Sequence, residues 1–110
     1  MAGVDAHRIG EERSLELHRI IARRLDSEPH LIDEARARLR RWQASGAMPG
    51  HYAAVWLELL AGPRDQLVAI LMDAGPRGRE LRQATPFAGV VDPRTRWRVW
   101  REVRRALEAR

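Results

Sequence analysis

The residues of this chain with the chemistry for catalysis or metal binding are four histidines, three serines and 15 carboxylates, and their spacing favours neither. His7, His18, His30 and His51 lie in separate segments, with no pair one helical turn apart to grip a metal from one face. Ser14, Ser27 and Ser45 occupy cap or turn contexts without the strained Gly-x-Ser-x-Gly elbow that presents a nucleophile. The pairs Glu11-Glu12 and Asp33-Glu34 are adjacent, so their side chains leave a helix on different sides and cannot converge on one substrate atom. There is no glycine-rich phosphate loop. The absence of cysteine excludes a thiolate nucleophile, a disulfide scaffold and cysteine-ligated zinc or iron–sulfur sites. The chain therefore reads as non-enzymatic, with no catalytic residue, no metal and no cofactor. His18 stands at the edge of an apolar stripe, the position of a core-flanking side chain with one satisfied nitrogen rather than of a ligand or proton shuttle.

What remains is recognition chemistry, and it is concentrated in the last third of the chain. All 20 basic residues are arginine. Residues 77–110 hold ten of them against Glu80, Asp92, Glu102 and Glu108, a net of +6, while residues 1–76 hold the other ten against 11 acids, a net of −1. The positive field of the whole chain, +5, thus belongs to the C-terminal end, where it can steer an anionic partner. At 100° per residue, Arg94, Arg98, Arg101 and Arg105 share one flank of the final helix, opposite an arc of Val99, Trp100, Val103, Ala106 and Leu107. Like charges at that spacing repel by a few tenths of a kcal/mol per close pair, a cost that an anionic partner offsets. Trp97 falls on the shoulder of this row, within reach of Arg101 and Arg104. There it can stack on a guanidinium, stack on a base or enter a partner's pocket, or it can fold back onto Phe87. The apolar stretch TPFAGVV around Phe87 either plugs the core beneath the helix or forms an exposed binding patch, with Gly89 permitting a backbone shape that other residues resist. The candidate partner-binding residues are Phe87, Arg94, Trp97, Arg98, Arg101, Arg104 and Arg105.

The elements that must position these side chains are all helices. Leu17, Ile21 and Leu25 recur every four residues, which predicts a first helix over about 11–25 behind a flexible tail of residues 1–10. Ser27 as cap and Pro29 in the first turn open a second helix, with Leu31, Ala35, Leu39 and Trp42 as its stripe and Glu34–Arg38 as a favourable i,i+4 pair. Tyr52, Val55, Trp56, Leu59 and Leu60 give a third helix the strongest core signature and place it at the centre. Pro63 and Asp65 start a fourth with Leu67, Ile70 and Leu71 buried, a short fifth covers about 77–83, and Asp92-Pro93 launches the last toward Arg110. The expected fold is all-α, a compact bundle of five or six short helices forming a single domain over 11–110. A chain of 110 residues supports one modest core. No apolar run approaches the roughly 18 residues of a membrane helix, and the first ten residues lack the apolar core of a signal peptide, so a cytoplasmic protein is expected.

The segments SLELHRIIARRL, ARARLRRW and YAAVWLELLAGP, and above all LRQATPFAGV followed by RTRWRVWREV, resemble small antitoxin-like proteins of high-GC bacteria, many actinobacterial, that are paired with nucleotidyltransferase toxins. The likeness runs over about 14–103. An all-arginine basic set accords with such a genome. The resemblance implies a protein that silences a tRNA-modifying toxin by direct contact, and it assigns no residue to that contact. A different class of function also fits the arginine row, a small basic protein gripping a nucleic acid backbone. Base reading would then rest on arginine alone, since the exposed face of the last helix carries no Asn, Gln, Ser or Lys. A homodimer through a spare apolar face is a further arrangement open to a helical chain of this size.

Overall fold

The computed structural model of the chain describes residues 6–109. They form six α-helices: α1 (Ala6–Arg24), α2 (His30–Ser45), α3 (Gly50–Ala61), α4 (Arg64–Leu71), α5 (Pro76–Gln83) and α6 (Pro93–Glu108), with no strand among them. The all-α bundle expected from the periodicities is therefore the fold.

Two apolar clusters hold it together. The larger gathers Ile21, Leu25, Leu31, Leu39, Trp56, Leu60, Leu67, Leu71, Leu81 and Phe87, so every helix but α6 contributes. The smaller joins Ile9 of α1 to Val99, Val103 and Leu107 of α6, and Leu17 and Ile20 of α1 lean on both. The structure measures 46 Å by 30 Å by 24 Å along its principal axes. Helices α1 and α4 each pack on three others, α1 on α4, α5 and α6 and α4 on α1, α3 and α5, whereas α3 packs only on α2 and α4. The third helix is thus not the centre, although its Trp56 is fully buried and donates its indole N–H to the Leu81 carbonyl at 3.1 Å. Trp42 and Tyr52, expected in the core, are half-buried at its margin, and Tyr52 donates its hydroxyl to Glu80 at 2.9 Å.

Helix ends follow local chemistry in most places. Asp92 accepts the Thr95 amide at 3.0 Å and Pro93 occupies the first turn of α6, as the sequence indicates. Gly46, with φ +72, closes α2 as Ala47 N–H reaches back to the Trp42 carbonyl. Asp73 accepts the amides of Gly75 and Gly78, at 2.8 and 2.9 Å, and so ties the entry of α5 to the end of α4. Gly78 is required there, because a Cβ would lie 2.3 Å from the Asp73 carbonyl oxygen.

Several expectations fail where long-range packing prevails. Helix α1 starts at Ala6, so residues 6–10 are helical rather than a tail. Ile9 is the reason, being 7% exposed against α6. Residues 1–5 of the expected tail lie outside the described residues. Ser27 does not cap α2; its hydroxyl donates back to the Arg24 carbonyl, and α2 begins after Pro29 without a side-chain cap. Arg38 reaches the Pro86 carbonyl instead of Glu34. Ala106 is exposed, because α1 covers only the Val99, Val103 and Leu107 strip. Arg82 is the least expected core residue. Its buried guanidinium donates to the Asp73 carbonyl at 2.6 Å and to the Ile70 and Leu71 carbonyls at 3.4 Å, gathering carbonyls at and just past the C-terminal end of α4.

Candidate functional site

On α6 the predicted flank exists. Arg94, Arg98, Arg101, Arg104 and Arg105 are all exposed, while Val99, Val103 and Leu107 turn inward. Two of the arginines have local carboxylates one turn on: Arg98 stands 3.9 Å from Glu102 and Arg104 2.9 Å from Glu108. Such exposed pairs contribute little to stability. Arg94, Arg101 and Arg105 have no carboxylate within salt-bridge range among the described residues, so their charge faces outward uncompensated.

Trp97 is 57% exposed, a rare position for so large an apolar side chain. It stacks neither on a guanidinium nor on Phe87. Its ring lies parallel to that of Trp100, with centroids 5.2 Å apart and planes 6° from parallel. Trp100 in turn lies beneath the Arg13 guanidinium, 4.2 Å from the ring centroid, with Arg104 at 5.5 Å. A cation over an indole face is attracted by the ring quadrupole, which holds both groups in a fixed orientation. The pair of indoles is thus anchored to α1 by Arg13.

Beside this stack runs a groove of about 760 Å³, bounded by α1, the 85–91 loop and the first half of α6. Leu17, Ile21, Phe87, Val91 and Val99 supply its apolar floor, and Arg13, Arg96, Trp97 and Trp100 its charged and aromatic side. No carboxylate lines it. Phe87, read from the sequence as a partner contact or a core plug, is the plug. It is 2% exposed and meets the edge of Trp56 with centroids 6.2 Å apart at 73°. Its ring is therefore packed in the core and forms part of the groove floor without being an exposed side chain. The loop shape rests on a turn in which Val90 N–H bonds the Phe87 carbonyl and Gly89 takes φ +83, the left-handed conformation that glycine adopts without strain.

His18 also lines the groove, yet it is only 4% exposed and both its nitrogens are used. A carbonyl can only accept, so Nδ1 donates to the Ser14 carbonyl at 2.7 Å, and Nε2 accepts the Thr85 hydroxyl at 2.8 Å. Thr85 Oγ1 accepts the Phe87 amide at 3.1 Å, which completes a chain from α1 into the loop. Burial pushes the His18 pKa down to about 4, with the charge of Arg82 adding and the Ser14 carbonyl opposing. The ring is neutral at pH 7 and acts as a strut for the loop.

Sequence reasoning missed Arg13, Arg96 and the face that Trp100 presents. Their signal was weak: Arg13 is one turn before Leu17, but only the pairing of α1 with α6 turns that into a place opposite Trp100. Among the described residues no three His, Cys, Asp or Glu side chains cluster to hold a metal ion, and no helix is long and apolar enough to cross a membrane. Comparisons of the chain with family models, with curated proteins and with solved structures find no match.

Proposed function

We propose that this protein is a non-catalytic docking module that binds another protein through α6 and the adjoining groove, and that it serves as the antitoxin silencing a nucleotidyltransferase-type toxin, the role implied by the sequence resemblance. The observation that carries the docking reading is the exposed Trp97, stacked on Trp100 between the outward arginine flank and the apolar groove. Tryptophan and arginine are the side chains that most often anchor protein interfaces, and an indole already held by a neighbour loses little entropy on binding. An acidic surface, such as the metal-binding carboxylates of a nucleotidyltransferase, complements the uncompensated Arg94, Arg101 and Arg105. A stable complex buries about 800 Å² on each side, an area that a 16-residue helix and its adjoining loop nearly supply.

The test is to express each gene that flanks this one, alone and together with this protein. One neighbour is expected to arrest growth and to be relieved by the wild-type chain. Trp97→Ala is expected to weaken the purified complex by roughly 30-fold, the scale of an interface hot spot, and the double reversal Arg98→Glu with Arg101→Glu to weaken it further, with circular dichroism unchanged. Wild-type affinity in both variants would remove the idea.

The uncompensated arginines also favour a second reading, in which α6 grips a nucleic acid backbone. Phosphate contacts from all four of Arg94, Arg98, Arg101 and Arg105 imply a log–log salt slope near −3.6, so binding to duplex DNA should fall by roughly a hundredfold between about 50 and 200 mM salt. A flat response excludes that reading. An apolar groove and a half-exposed indole pair add nothing to phosphate binding, so the protein-docking reading takes precedence.

A further inference from the structure

We propose that the groove between α1, the 85–91 loop and α6 is the receptor for an acidic segment of the partner protein: an aromatic or leucine side chain enters the groove, and a neighbouring Asp or Glu carboxylate meets the Arg13 guanidinium. This rests on the docking reading and specifies its chemistry. Arg13 is the key residue. Its Nε is buried without a hydrogen-bond partner, and no carboxylate lies within salt-bridge range of it among the described residues. Burial and the nearby charge of Arg104 both lower its pKa from the ordinary value. A partly desolvated cation whose buried Nε–H has no acceptor, with a like charge beside it, is a costly arrangement, and a carboxylate meeting the guanidinium offsets it through a charge-assisted hydrogen bond. The face of Trp100, 4.2 Å away, already fixes the guanidinium in place.

The groove itself states what else the segment must carry. Its floor is apolar, its two charged lining residues are Arg13 and Arg96, and it has no acidic residue, so it complements a ligand that is apolar in the middle and negative at the side. Its rim residues Gly10, Ala88, Gly89 and Pro93 are exposed, which leaves a passage for a continuing chain rather than an enclosure for a small molecule. Nucleic acid fits less well. His18 and Thr85 on the floor are already bonded to each other, so base edges would meet few free donors, and only two arginines are there for phosphates.

The full chain, isotopically labelled, is titrated with acetyl-Glu-Leu-Glu-Phe-Glu-amide, with its lysine counterpart acetyl-Lys-Leu-Lys-Phe-Lys-amide, and with oligothymidylate. With the acidic peptide, saturable shifts are expected at the indole N–H signals of Trp97 and Trp100 and at Arg13 Nε–H, while Trp42 and Trp56 stay in place. The lysine peptide should bind at least about tenfold more weakly. Arg13→Met, which keeps an apolar stem over Trp100, and Ala88→Glu, at the exposed rim, should each weaken the acidic peptide by about tenfold or more, and Arg40→Met on distant α2 should not. Ala88→Glu alters only an exposed side chain and so keeps the test valid if Arg13→Met does not fold. Equal affinity for the two peptides, undiminished binding in the folded variants, or shifts from oligothymidylate alone would each overturn the assignment, the last giving the groove to nucleic acid. Failures separate cleanly. A partner that binds Arg13→Met as tightly as wild type but loses Trp97→Ala sinks the groove and spares the docking reading, whereas acidic peptide seated in the groove with no protein partner among the neighbours does the reverse.

Discussion

Phe87→Ala is expected to destabilise the fold by about 3–5 kcal/mol, the range for truncating a buried aromatic side chain. The ring is 2% exposed within the larger cluster and contacts Trp56 edge to face, a geometry that adds about 0.5–1.5 kcal/mol beyond the buried area. Collapse around the hole is restricted, since Trp56 is held by its bond to the Leu81 carbonyl and Phe87's own amide is held by Thr85. The loss would be a large part of the roughly 5–15 kcal/mol typical of a whole domain. Denaturant unfolding followed by far-ultraviolet circular dichroism checks it, with Trp97→Ala as the contrast. That exposed indole is expected to change stability by no more than about 0.5–1 kcal/mol, the scale of one aromatic stack and its neighbouring cation. The comparison separates the two roles that the sequence left open for Phe87. A cost below about 1 kcal/mol, together with lost partner binding, would make Phe87 a surface contact and refute its place under the groove.

The second large effect is with pH. Neutral His18 is bonded at both nitrogens, and its pKa falls from 6.5 in the unfolded chain to about 4 in the fold. Between those values the unfolded chain holds a proton that the folded one refuses, so stability is complete above about pH 6.5 and declines as the pH falls toward 4. The full swing corresponds to roughly 3 kcal/mol. Protonation would also set a cation beside Arg82 and force Nε2 to donate where it now accepts, which loosens the strut between α1 and the 85–91 loop. Asp73 and Asp92 are held below the ordinary carboxylate range, Asp73 by the amides of Gly75 and Gly78 and Asp92 by Thr95. Their stabilising contributions are lost at lower pH, when those carboxylates take up protons. Urea midpoints measured at pH 7.5, 6 and 5 are expected to drop steadily for the wild type and to stay nearly level for His18→Gln, whatever the variant's absolute stability. Parallel profiles for the two proteins would show that His18 does not set this dependence.

The helices themselves were legible in the sequence because their determinants are local. Asp92 and Pro93 announce α6, and the spacing of Val99, Val103 and Leu107 turns one strip inward and the arginines outward, all through interactions within one or two turns. Which surface each strip meets is a different matter, since spacing along one helix carries no label for its neighbour. Only the packing of α1 on α6 buries Ile9 and so extends α1 to Ala6, brings Arg13 over Trp100 and opens the groove between them. The same holds for Arg82, whose value lies in carbonyls from nine to twelve residues upstream that a turn folds back onto it. Periodicity thus determined the arginine flank and the exposed shoulder where Trp97 sits. Contacts between residues distant in the chain decided what Trp97 leans on and what lies beside it.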